Sequence, residues 1–192
     1  VRVDPKAGLA LVKEVVLGQR LPSARLRWYA SRILIELDKQ QAQAALRQIM
    51  LTESSRGVNF DRAEAYPGAS IPDQAAFATS GFHNFVQLYL LTEDPKIDET
   101  LLMVIGRSEQ DMITVKKCIE ALSERHSERA VPAIERAYKN PPLRQEDPLF
   151  LCLCVKALHE IQGEKARPFL EDALRTTTIE SVANCIKNLL GK

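Results

Sequence analysis

The sequence predicts an all-α protein, a solenoid of antiparallel helix hairpins with no sheet. Three observations predict it. Apolar residues recur at helical spacing along most of the chain. The pattern repeats along the chain without internal gaps. Asp-Pro and Gly punctuate the breaks where helices should start and stop. No segment alternates with period two for long enough to make a strand.

The repeat is clearest when Arg25–Met50 (RLRWYASRILIELDKQQAQAALRQIM) is set against Ile113–Tyr138 and Leu149–Leu174. Ala30, Cys118 and Cys154 then coincide, as do Leu34, Leu122 and Leu158. The same holds for Ala42, Ala130 and Ala166, and for Leu46, Ile134 and Leu170. Small residues stay small and large ones stay large. One hairpin cannot bury its own apolar stripe, so neighbouring hairpins must stack.

About four full repeats with a half repeat at each end follow, in one domain over residues 1–192. A half repeat near 4–18 opens the chain, with Asp4-Pro5 at its start, Ala7, Leu11 and Val15 on its stripe, and Gly18 beyond it. The repeat near 22–51 places Leu26, Tyr29, Ala30, Ile33, Leu34 and Leu37 on one stripe, then Ala42, Ala45, Leu46 and Ile49 on the next. The copy near 80–106 uses Phe85, Leu88 and Tyr89, then Ile97, Leu101 and Ile105, with Asp94-Pro95 between its helices and Gly106 at its end. The copies near 111–140 and 147–175 carry Pro132 and Pro168 in the first turn of their second helices, where a missing N–H costs little. Asp147-Pro148 starts the latter copy. A half repeat near 178–190, followed by Gly191, closes the chain.

One interval is long. The step from Ala42 to Ile97 is 55 residues, against 33 from Ile97 to Ala130 and 36 from Ala130 to Ala166. Roughly 20 residues are therefore inserted within 52–81, and long loops in repeat arrays are often functional. The insertion holds Phe60, Tyr66, Ile71 and Phe77, more apolar groups than a solvated tether carries.

Composition narrows the function classes. The chain is 45% hydrophobic and 27% charged with net charge +1, ordinary for a globular protein. No global charge draws it to nucleic acid or an anionic membrane, and no apolar run approaches ~20 residues, so no membrane insertion is expected. Cys118, Cys152, Cys154 and Cys185 fall within helical patterns, as buried free thiols do; this favours a cytoplasmic, reducing setting. The chain opens on Val1 and a half repeat whose Leu9, Leu11, Val12, Val15 and Val16 need cover. Adjacent repeats or another domain N-terminal to residue 1 are therefore expected.

The motif of apolar first helix, small residue, Leu-x-x-Ile/Leu, short polar turn and Ala-x-Pro-x-Leu resembles the short HEAT-like repeats, the type found in phycobilisome lyases, with an armadillo-like superhelix. RWYASRILIELDKQQAQAALRQIM and LCVKALHEIQGEKARPFLEDAL carry it best, and it covers roughly 130 of the 192 residues. The resemblance implies a right-handed α-solenoid whose second helices line a concave face. It is nearly silent on function, since such arrays serve as scaffolds, transport receptors, regulatory subunits and occasionally enzymes.

Chemical signatures are absent. His83, His126 and His159 are scattered, Cys152-x-Cys154 points to different helix faces, and no phosphate loop or nucleophile elbow occurs, so neither cofactor nor metal is expected. The expected function is a scaffold or regulatory module of a larger protein that binds another protein through the concave face and the insertion. Its expected partner-binding residues are Arg47, Phe60, Arg62, Tyr66, Asp98, Glu99, Met103, Arg136, Glu171 and Arg175. Their mixed charge suits a protein better than DNA, which would demand a row of Lys and Arg. Two alternatives stand beside it. One is a lyase-like enzyme or small-molecule binder with a pocket closed by the insertion. The other is a nucleic-acid interface at Arg20, Arg25, Arg27 and Arg32 around Trp28 and Tyr29.

Overall fold

The computed structural model describes residues 5–20, 23–53, 81–107, 110–140 and 147–191. Every regular element among them is helical, and no strand occurs among the described residues. The chain divides into two compact units, residues 1–100 and 101–192. The helices are α1 (Pro5–Val16), α2 (Ala24–Leu37), α3 (Lys39–Thr52), α4 (His83–Leu91), α5 (Ile97–Ile105), α6 (Met112–Glu124), α7 (Val131–Lys139), α8 (Pro148–Gln162), α9 (Arg167–Thr176) and α10 (Glu180–Leu190). None is long and apolar enough to cross a membrane.

Most boundaries have local causes. Ser23, Asp38, Asp111 and Asp147 cap α2, α3, α6 and α8, each side chain accepting a backbone N–H of the first turn. Asp38 does double duty: its own N–H bonds Leu34 O, ending α2, while its carboxylate accepts from Gln41 N–H, starting α3. The backbone bond from Gln41, aided by the Gln41 side chain, holds the Asp38 carboxyl below its ordinary value. Pro132 and Pro168 sit in the first turns of α7 and α9. A 3₁₀ turn precedes each, at Glu128–Ala130 and Gly163–Ala166. The first copy has Ala44 in the proline slot, and its second helix runs α-helical from Lys39.

In the N-terminal unit, α1 packs on α2 and α3, α2 on α3, and α4 on both α2 and α3. In the C-terminal unit, α8 packs against α6, α7 and α10, and α9 packs on α10. Helices thus pair with their nearest and next-nearest neighbours in sequence. The matched positions of the repeat are uniformly buried: Ala30, Cys118 and Cys154; Leu34, Leu122 and Leu158; Ala42, Ala130 and Ala166; Leu46, Ile134 and Leu170. An alanine recurs where the hairpin turns into its second helix, and a large aliphatic residue recurs one helical turn on. Truncating such a buried Leu to Ala costs about 2–5 kcal/mol.

The stripe read from the sequence on α2 is only partly the buried one. Ala30 and Leu34 are buried, but Leu26, Tyr29, Ile33 and Leu37 are 40%, 38%, 48% and 63% exposed. The buried arc instead includes Ala24, Arg25, Arg27 and Ser31. Arg27 can lie inside because its guanidinium is provided for. Its Nε donates to Val16 O at 2.9 Å, both terminal nitrogens donate to the Glu53 carboxylate, and the Phe85 ring lies 5.7 Å below it. Gly18, at φ +71°, lets the arginine pass, since a Cβ there would come within 3.3 Å of Arg27 Nε. A buried charge is tolerated when paired and hydrogen-bonded.

Candidate functional site

Among the described residues of the C-terminal unit, two clefts of similar size open beside the ends of helices. The first, of about 260 Å³, lies between the end of α5 and α7, lined by Ile105, Gly106, Val115, Ala133, Arg136, Ala137 and Asn140. The second, of about 290 Å³, lies between the end of α7, α8 and the α9–α10 link, lined by Tyr138, Lys139, Leu151, Thr176, Thr177, Thr178 and Ile179. Their linings correspond at four of seven positions. The 33-residue step carries Ile105 to Tyr138 and Gly106 to Lys139; the 36-residue step carries Val115 to Leu151 and Asn140 to Thr176.

The floors are set by small or aliphatic residues facing the core: Ala133, Ala137 and Val115 are buried in the first cleft, Leu151 in the second. The rims are polar. Arg136 is exposed, its Nε donating to Pro132 O at 3.2 Å, which leans it back along α7. At the second rim the Tyr138 ring meets Phe169 edge-on at 5.5 Å, and Lys139 Nζ sits 5.8 Å over the same Phe169 ring. Burial, with a smaller push from Cys154 and Cys152, raises the Tyr138 phenol above its ordinary value, against a hydrogen bond with Thr177 that pulls it down. At neutral pH Tyr138 is therefore a neutral hydroxyl. Each cleft is smaller than the ~300–1,000 Å³ typical of small-molecule sites.

The expected partner-binding residues are dispersed. In the N-terminal unit Arg47 is committed: its guanidinium bonds Asp94 Oδ2, which is fully buried and also accepts from Tyr89 Oη at 2.8 Å, while Asp94 Oδ1 accepts Lys96 N–H at 2.9 Å. Burial pulls the Asp94 carboxyl up, but these bonds outweigh it and hold it below its ordinary value. Asp98 is half-buried and Glu99 exposed in the first turn of α5, where acids suit the helix dipole. In the C-terminal unit Met103 is 49% exposed. Arg136 lines the first cleft, Glu171 lies 3.9 Å from Arg167, and Arg175 pairs with Asp172 at 2.5 Å. Phe60, Arg62 and Tyr66, like residues 54–80 as a whole, lie outside the described residues.

The arginines read as a nucleic-acid candidate turn elsewhere. Arg25 and Arg27 are buried, Arg20 pairs with Glu14 at 2.5 Å, and Arg32 lies 5.3 Å over Trp28. Among the described residues no group of three or more His, Cys, Asp or Glu side chains converges as a metal site would. Glu160, beside His159, is spent on the hairpin before it, accepting from Ser123 Oγ at 2.5 Å while its carbonyl meets His126 Nδ1 at 3.2 Å.

Sequence reasoning missed Tyr138, Lys139 and Thr176–Thr178. Part of the signal was present in the repeat itself, because the steps that align the core carry Ile105 onto Tyr138, Gly106 onto Lys139 and Asn140 onto Thr176. No family model, curated protein or solved structure matches the chain.

Proposed function

We propose that this chain is a HEAT-like α-solenoid module that binds another protein, taking an extended segment whose side chains enter the two clefts of the C-terminal unit. The observation that carries the reading is the recurrence of a cleft of similar size at the end of each of two second helices, with four lining positions shared through the repeat. A solenoid interface arises by that means: each repeat contributes the same hollow on the same side of its second helix. The buried register shared by Ala30, Leu34, Ala42 and Leu46 with their counterparts supports the solenoid itself.

The spacing of the anchors follows from geometry. Equivalent helices in packed layers lie ~8–10 Å apart, and a segment in the extended polyproline-II conformation advances about 3.1 Å per residue and returns to the same face every third residue. Two apolar side chains about three residues apart would then occupy both clefts. The flanking strip carries Arg136, Lys139 and Arg175 beside Glu135, Glu171 and Asp172. That mixture suits a polypeptide with both signs and not a polyanion.

The test is selection from a displayed library of random peptides with the whole chain as bait, compared with a chain carrying Asn140→Trp and Thr178→Trp. Both substitutions sit at exposed rims and fill the clefts without touching the core. The expected result is a consensus of two apolar residues about three apart, with binding weakened at least tenfold by the paired substitutions while helical circular dichroism is unchanged. Peptides that bind both chains equally would overturn the cleft assignment.

A further inference from the structure

The C-terminal unit also brings together two cysteines that are 33 positions apart. Cys152 is on α8 and Cys185 on α10, and these helices pack against each other. Cys152 Sγ–H points at Ser181 O at 3.9 Å. Ser181 and Cys185 are one turn apart on α10 and so share a face, which puts Cys185 on the side of α10 that Cys152 meets, close enough to raise the Cys152 thiol. Both are half-buried, whereas Cys118 and Cys154 are fully buried. The pair is thus reachable by a small reagent and already juxtaposed.

We propose that Cys152 and Cys185 form a redox pair, closed by a peroxide-class oxidant into a disulfide that staples α10 to α8. The balance is simple. One thiolate attacks a peroxide oxygen, breaking the O–O bond and giving a sulfenic acid and, after protonation, one water. The second thiol displaces the sulfenic oxygen as another water, forming the S–S bond. Two S–H bonds are lost, two electrons pass to the peroxide, and two waters leave. Burial first, then the neighbouring Cys185, pushes the Cys152 thiol up to about 11, so little thiolate exists at neutral pH and the first step is slow there and faster in alkali. Closure brings the two sulfurs to about 2.05 Å, between helices that already pack on each other.

The experiment treats the fully reduced chain with hydrogen peroxide and maps peptides under non-reducing conditions. The expected product is a monomer about 2 Da lighter with a Cys152–Cys185 cross-link, reversed by dithiothreitol. It persists in Cys118→Ser and Cys154→Ser and is lost in Cys152→Ser and Cys185→Ser. Because the link closes a loop containing α9, the oxidised chain should melt on the order of 5 °C higher. Cys152→Ala, which removes the thiol without adding a hydroxyl, must also lose the link if Cys152→Ser folds poorly. Cross-links through Cys118 or Cys154, disulfides only between molecules, or further oxidation of Cys152 with no link would each overturn the proposal.

Discussion

Replacing Asp94 by Ala removes the acceptor at the centre of the N-terminal unit's buried polar cluster. The carboxylate is fully buried and receives Arg47, Tyr89 and the Lys96 N–H. Removing one member of a buried, hydrogen-bonded ion pair costs ~3–5 kcal/mol because its partner is left charged and dry. Two features reduce that here. The Arg47 side chain is 28% exposed, so water can reach part of the guanidinium, and Tyr89 Oη keeps Thr100 Oγ1 at 3.1 Å. The expected loss is therefore about 2–4 kcal/mol. Tyr89→Phe, which deletes one donor and leaves Arg47 paired, should lose about 1 kcal/mol. Urea unfolding followed by circular dichroism measures both, and the Asp94→Ala, Arg47→Ala cycle measures the pair. A loss under about 1 kcal/mol for Asp94→Ala, or single effects that simply add, would refute the cluster as a cooperative unit.

Acid should weaken the fold through the same groups. Asp94, Glu93 and Asp147 are all held below their ordinary values. For Asp94 the Arg47 bond and its companions outweigh burial; for Glu93 the cause is Lys39, and for Asp147 it is Lys116. A carboxyl with a lowered folded pKa stabilises fully above its unfolded value, near 3.8 for Asp, and that stability is lost as pH falls through the folded value. The unfolding midpoint is expected to hold from about pH 5 to 7 and fall below about pH 4, with the fall shallower in Asp94→Asn. Ala166→Leu tests the small-residue register: the site is fully buried, and overpacking should cost about 1–3 kcal/mol. Ala44→Leu, at an exposed position of α3, should stay within about 0.5 kcal/mol by the same urea assay.

Much of the helical framework is legible in the residues themselves. Asp38, Asp111 and Asp147 cap because a short carboxylate reaches the N–H groups one turn ahead. Pro132 and Pro168 mark the second helices because their rings fit only a first turn. Gly191 ends α10 at φ +69°, as a glycine past a helical stripe does. The recurring Ala and Leu pairs name core positions, because the same small and large residues are buried in each copy. Even Arg27 could have been placed, since it occupies the slot filled by Val115 and Leu151, both buried, in the later copies.

The sequence by itself therefore determined most of the helical segments, where most of them start and stop, and the recurring small and large core positions of the repeat, because periodicity, capping and side-chain volume are local properties. Only the tertiary structure decided which of two apolar arcs on α2 turns inward, because that depends on Val16, Glu53 and Phe85 arriving to receive Arg27. It alone closed Arg47, Tyr89 and Asp94 into one cluster and set Cys152 against Cys185. It also left hollows at the ends of second helices, because a cleft is the space between elements, and no single segment contains it.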